Sequence, residues 1–255
     1  MPKAAQIRRA IVLLEDICAR NGIRDAFHVG GFPRSIAMGF GYDDVSDLDI
    51  ASGTPEKATQ LAGLVAAEGK ADYYEVLHRT RTVRLEVGGV EMDFQGPAAH
   101  ERVLPILHMW GVEATPIARN IFDRDFTINS LAIPIGGNRV VDLTKRGMDD
   151  IDDKRIVSIL PPEDAVPANP LMITRAVRFA YKYDYVIDGA LWHAMKANVD
   201  KLKEGVSPER LAIEAYVLSK HDVGDMLDEL GLEYMHGPGL VEVGKEITEE
   251  KRGES

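Results

Sequence analysis

From Ala4 to Arg20 apolar residues recur at helical spacing, with Ile7, Ile11, Leu14, Ile17 and Cys18 on one face. Asn21-Gly22 stops that helix before an apolar stretch, Ala26 to Val29, that reads as a strand. A Gly30-Gly31 turn follows, and Pro33 suits the first turn of a helix reaching about Met38. Gly39 to Asp44 reads as loop, and Leu48 to Ala51 resumes the extended pattern. A helix over Pro55 to Glu68 then precedes two runs, Thr82–Val87 and Val90–Phe94, around Gly88-Gly89, the signature of a hairpin. Strands and helices interleaved in this way predict an α+β domain with a mixed sheet. Beyond Asp142 strand-like stretches give out after Ile156 to Ile159, and the segments from Pro170, Ala190, Ser207 and Val223 look helical. Ser207-Pro208-Glu209 fixes one helix start, with a cap residue followed by proline at the first helical position. The pattern therefore predicts a first domain over 1–143, an all-helical second domain over 144–236 and a loose acidic tail over 237–255.

Composition adds constraints. With 255 residues, 45% hydrophobic and 28% charged, the chain has ample material for a folded core. Its one cysteine, Cys18, falls on the apolar helical face and predicts a buried structural thiol. No signal-like apolar run follows the N-terminus and no eighteen apolar residues stand together, so a cytoplasmic protein without a membrane span is expected. A net charge of −11 excludes coating of nucleic acid by charge alone, because that binding rests on Lys and Arg neutralising phosphates. Any RNA contact must be local. An acidic chain still suits a nucleotide substrate if metal ions neutralise the triphosphate.

Asp47-Leu48-Asp49 supplies that chemistry. On a strand, two carboxylates two residues apart point to one face, where they can share divalent ions. Two such ions activate an attacking hydroxyl and neutralise a leaving pyrophosphate. Alone, the pair reads more simply as a solvated acidic loop beside Asp43 and Asp44. Its neighbour changes that reading: Gly30-Gly31 ends a strand and opens a helix, so bare amides can hold phosphates, and Arg34 can add a bidentate contact. Glu91 and Asp93, again two apart on a predicted strand, are candidates for a third carboxylate or form an outward polar face opposite Val90, Met92 and Phe94.

These residues carry a family resemblance. The run from Val29 to Ser52 resembles the head signature of the class II tRNA nucleotidyltransferases and bacterial poly(A) polymerases, a Gly-Gly-x-x-Arg turn preceding an Asp-x-Asp pair. Arg124 to Leu131 is similar to the family's Arg-Arg-Asp-Phe-Thr-x-Asn-Ala motif, with Asp123 in place of its first arginine. Val141-Asp142-Leu143, Gly147 and Asp150-Ile151 resemble a segment that is a flexible link between head and neck. Asn169 to Ala180 and Ser207 to Arg210 are similar to neck motifs, so five ordered signatures run from residue 26 to about 215.

The resemblance implies a polymerase β-like head followed by an all-helical neck, and transfer of a nucleotide from a triphosphate, ATP or CTP, to an RNA 3′ end, tRNA foremost. It implies two Mg²⁺ ions on Asp47 and Asp49 with Glu91 or Asp93 assisting, and a triphosphate held by Gly30, Gly31 and Arg34. Arg124, Asp125, Asn129, Asn169, Met172, Arg175 and Arg178 would contact the nucleotide. Asn169 and Met172 stand where CCA-adding members carry an aspartate and an arginine that read the base, and methionine donates no hydrogen bond. The body and tail helices of longer relatives are expected to be reduced or missing. Transfer to a protein or small molecule, and a binding module without turnover, remain as other readings. The histidines show no ligand spacing for zinc, and Trp110 and Trp192 are assigned to packing.

Overall fold

The computed structural model describes residues 1–78, 80–97 and 103–253, the last three as backbone. The chain divides into two compact units, Met1–Ile151 and Asp152–Ser255.

The first unit runs α1 (Lys3–Arg20), β1 (Phe27–Val29), α2 (Gly31–Ala37), β2 (Asp47–Ala51), α3 (Pro55–Gly69), β3 (Tyr73–Leu77), β4 (Thr82–Val87) and β5 (Val90–Gln95). It continues through α4 (Val103–Met109), α5 (Pro116–Phe122), β6 (Leu131–Pro134), β7 (Val141–Asp142) and α6 (Gly147–Asp152). The seven strands form one sheet in the order β3-β4-β5-β2-β1-β6-β7. Every pairing is antiparallel except β2 with β5, so the sheet is mixed, as expected. Local chemistry sets the element ends. Thr54 Oγ1 accepts from the Lys57 amide at 3.2 Å with Pro55 at the first helical position, and α3 closes on left-handed Lys70. Gly88 and Gly89 both take positive φ, +58° and +78°, which gives the tight turn between β4 and β5.

One face of the sheet is buried. Leu48, Ile50, Val83, Leu85, Met92 and Phe94 pack there with Ile7, Leu14 and Ile17 of α1 and Leu61 and Val65 of α3. Each such side chain contributes about 1.5–3 kcal/mol when fully removed from water. Cys18 lies in this core, and burial pushes its thiol up to about 11, so it is the inert structural thiol expected. Because side chains alternate, the residues between those core positions occupy the opposite face.

The second unit contains β8 (Arg155–Ile156), α7 (Pro162–Ala168), α8 (Leu171–Tyr183), β9 (Val186–Ile187) and α9 (Gly189–Ala197). It ends with α10 (Asp200–Gly205), α11 (Pro208–Leu218), α12 (Gly224–Glu229) and α13 (Pro238–Gly253). Ser207 caps α11 as expected, its hydroxyl accepting from the Arg210 amide at 3.3 Å. The unit is helical as expected, apart from the two-residue strands β8 and β9, which pair in parallel. Two expectations are corrected. The loose tail is instead α13, because Leu240, Gly244 and Ile247 fall on one helical face and α13 packs on α11; Glu254 and Ser255 lie outside the described residues. The division falls after Ile151, not 143, and the expected flexible link is tied down. Asp142 accepts from the Thr144 and Met148 amides at 3.0 Å each, and Thr127 Oγ1 donates to Asp150 at 2.7 Å. A Cβ on Gly147 would stand 2.6 Å from the Thr127 carbonyl oxygen, so only glycine permits that approach.

Candidate active site

Asp47 and Asp49 stand on β2 with Leu48, fully buried, between them. Their side chains therefore leave the sheet on the face away from the core. The parallel register sets Asp47 beside Glu91 and Asp49 beside Asp93, so four carboxylates share one patch of that face. Among the described residues no three of them already converge on a metal-holding point; they line the sheet. Burial pushes the Glu91 carboxyl above its ordinary range, Arg84 pulls it back, and the charges of Asp93 and Asp47 add to the rise. Asp93 is engaged differently. Arg84 Nε and Nη2 donate to its two oxygens at 2.8 and 2.7 Å, while Glu91 lies 3.5 Å from Arg84 Nε. The Asp93 hydrogen bond and the charges of Glu91 and Asp47 raise the basicity of Arg84 in turn.

β1 runs antiparallel to β2 with Val29 beside Asp49, and the chain turns at Gly30 into α2. Gly30 takes φ +69° and ψ −121°, a conformation closed to side chains. A Cβ there would stand 2.5 Å from Asp49 Oδ2 and 2.8 Å from Arg124 Nη1. The glycine thus lets a carboxylate, a guanidinium and bare backbone meet in one place. Gly31 opens α2, and Arg34, buried within it, donates to the side-chain oxygen of Asn129. Asn129 Nδ2 donates to Asp125 Oδ1 at 2.8 Å, and the same oxygen accepts from the Phe126 amide at 2.8 Å. Arg124 Nε and Nη2 donate to Asn120 Oδ1 at 3.3 and 3.2 Å. The turn after β1 and the run 124–129 are therefore wired together, although far apart in sequence.

Asn169, Met172, Arg175 and Arg178 belong to the second unit. Asn169 ends α7 and its carbonyl accepts from the Met172 amide at 3.0 Å. Met172 is buried, whereas Arg175 and Arg178 are half-buried on α8. Two participants escaped the sequence reading, Arg84 and Asn120. Arg84 was within reach, because a two-residue turn at Gly88-Gly89 dictates the observed pairing of Arg84 with Asp93. Asn120 carried no signal beyond its place one helical turn before Arg124. Trp110 packs as expected, edge-on to Phe122 at 5.6 Å.

Known proteins resemble this chain in sequence and in fold. The CCA-adding enzyme of Limosilactobacillus reuteri (strain DSM 20016) is 29% identical over 227 residues, which cover 85% of this chain and 51% of that enzyme. A tRNA nucleotidyltransferase of Schizosaccharomyces pombe is 30% identical over 175 residues, 68% of this chain and 34% of the relative. The chain thus spans about half the length of the first curated relatives it matches. Among solved structures, the Thermotoga maritima CCA-adding enzyme complexed with tRNA superposes with a TM-score of 0.69 at 20% identity, covering 89% of this chain and 51% of that one. A tRNA nucleotidyltransferase complexed with a primer tRNA and an incoming ATP analogue gives 0.67 at 23%, covering 86% and 60%. These likenesses establish that the chain shares its fold with those proteins. The poly A polymerase head domain family matches residues 26–157, just over half of the sequence, and this chain belongs to that family.

Proposed function

We propose that the chain is a metal-dependent nucleotidyltransferase that joins a nucleotide from a nucleoside triphosphate to the 3′ hydroxyl of RNA, with tRNA as the favoured acceptor. The observation that carries this reading is the meeting of Asp49, Arg124 and the bare backbone of Gly30 at one turn. A carboxylate for metal, a guanidinium for phosphate and open amides are the parts phosphoryl transfer needs.

The donor set fits Mg²⁺. Asp47, Asp49 and Glu91 offer hard oxygen ligands on one sheet face. Asp93 is the weaker candidate, since Arg84 holds both of its oxygens. When bound, two Mg²⁺ ions activate the attacking hydroxyl and neutralise the departing pyrophosphate. The protein's own groups do the positioning. The amides of Gly30 and Gly31 and the Arg34 guanidinium cradle the triphosphate, while Arg124, Asp125 and Asn129 fix the nucleotide. In the second unit, Arg175, Arg178, Asn169 and Met172 occupy neck-motif positions, Asn169 and Met172 the base-reading ones. Methionine there removes an arginine's donors, so base choice rests on other groups. Among the described residues no helix is long and apolar enough to cross a membrane, and a cytoplasmic site of action fits a tRNA acceptor.

The test is direct. The protein is incubated with Mg²⁺, each labelled triphosphate in turn, and either total RNA or tRNA lacking its 3′ end. Label enters RNA and disappears with Asp47→Ala. Label on protein or a small molecule overturns the RNA reading, and triphosphate binding without transfer overturns the enzymatic one.

A further inference from the structure

On α8, Arg175, Arg178 and Lys182 fall at positions i, i+3 and i+7, one stripe on the side away from buried Ile173, Val177 and Ala180. At 1.5 Å per residue the stripe is about 10 Å long. A second segment meets its far end. Lys220 and His221, between α11 and α12, bring the His221 ring to 5.9 Å from the Tyr181 ring. Burial and the charges of Lys182, Arg178 and Lys220 hold the His221 imidazole below its ordinary range. The Lys220 ammonium lies 4.3 Å from the Tyr216 ring centroid and that of Lys182 5.2 Å from Tyr183. Tyr181, Lys182 and Lys220 are exposed.

A cation in the last turn of a helix ordinarily complements the helix dipole, and Lys182 does so. That account does not explain why the α11–α12 connection brings Lys220 and His221 to the same place, raising positive charge on a chain of net charge −11. Clustered cations beside an exposed aromatic ring are the equipment for single-stranded nucleic acid: the cations follow the phosphates and the ring stacks a base. We propose that Arg178, Lys182, Lys220 and His221, with Tyr181, form a phosphate-backbone site for the single-stranded end of the acceptor RNA. The site rests on the RNA-acceptor reading above and extends it, through Tyr181, Lys182, Lys220 and His221, beyond the nucleotide-binding set that already includes Arg178.

The experiment uses the full chain and two variants, Lys182→Glu/Lys220→Glu and Tyr181→Ala, whose exposed positions leave the core intact. Binding of labelled tRNA that keeps a partial single-stranded 3′ end is measured by anisotropy across a KCl series, with triphosphate binding in parallel and thermal melts to confirm folding. The double variant weakens RNA binding and lowers the slope of log K against log[salt] by about one for each lysine. Its KM for RNA rises while kcat and the KM for triphosphate stay unchanged. The His221 ring-proton resonance moves when RNA is added to the parent protein and not in the double variant. An unchanged salt slope and RNA KM in that variant overturn the site, as does an equal shift of His221 with an acidic peptide. RNA binding here without labelling of RNA by the parent protein upholds the site and defeats the proposed function; labelling that the variants leave untouched does the reverse.

Discussion

Asp49 lies against the α-carbon of Gly30, so close that a side-chain carbon on the glycine would stand 2.5 Å from Asp49 Oδ2. Gly30→Ala must shift Asp49 or open the turn, and the left-handed backbone itself adds about 1–3 kcal/mol of strain. Because a displacement near 1 Å at a reacting centre costs about 100-fold, kcat/KM falls by that order. Thermal melts show the protein still folded. Steady-state kinetics beside those melts check both halves of the statement.

Glu91 and Asp93 separate under substitution. With Asp93 held by Arg84, Asp93→Asn and Arg84→Met disturb a supporting contact and lower metal affinity or activity by about 10-fold. If Glu91 is the third metal ligand, as proposed, Glu91→Gln lowers both further. Mn²⁺ binding followed by electron paramagnetic resonance, together with the Mn²⁺ dependence of kcat, ranks the three variants, and an equal or smaller loss in Glu91→Gln would assign the third carboxylate to Asp93.

His28 on β1 makes stability pH-dependent. Its ring is buried beside Phe32 at 5.0 Å, neither ring nitrogen has a hydrogen-bond partner, and burial lowers its pKa to about 4. The unfolded chain binds a proton near pH 6.5 that the folded chain accepts only near 4, so stability falls as pH drops through that window. The full effect is about 3 kcal/mol. Urea midpoints at pH 7 and 4.5 fall less steeply with acid in His28→Leu than in the parent.

Two glycines in helices respond oppositely to alanine. A Cβ at Gly244 of α13 would overlap the Ala212 carbonyl of α11 and stand 3.0 Å from the Ile213 nitrogen, so Gly244→Ala destabilises by about 1–3 kcal/mol. Hydrogen exchange in α13 speeds up. Gly63 of α3 is exposed with open space around it, and Gly63→Ala stabilises by about 0.5–1 kcal/mol through helix propensity. Chemical denaturation of the pair distinguishes close packing from a general dislike of substitution.

The first unit was legible where pattern and punctuation agreed. Strands β1, β2, β4 and β5 and helices α1 and α3 each have a clear period bounded by glycine, proline or a cap. β3 escaped because an edge strand with exposed Tyr74, Glu75 and Val76 shows no buried alternation. α13 escaped because its charged residues outweigh the few apolar positions that seat it on α11. At the site, the Gly30 turn and the Asp47–Asp49 pair were readable as local motifs. The Arg34–Asn129–Asp125 chain was not, since a hydrogen bond between residues 34 and 129 depends on strands that bring distant segments together.

The parallel pairing of β2 with β5 also sets a folding order. Parallel neighbours cannot be joined by a tight turn, so β2 waits for α3, β3 and β4 before β5 can lie beside it. The β4–β5 hairpin forms early from neighbouring residues, whereas docking it on β2 closes a long loop and is slow. During synthesis the acidic motif at 47–49 is therefore made well before the surface that gives it meaning. A chain halted short of Val90 carries the aspartates without the strand that sets Glu91 and Asp93 beside them.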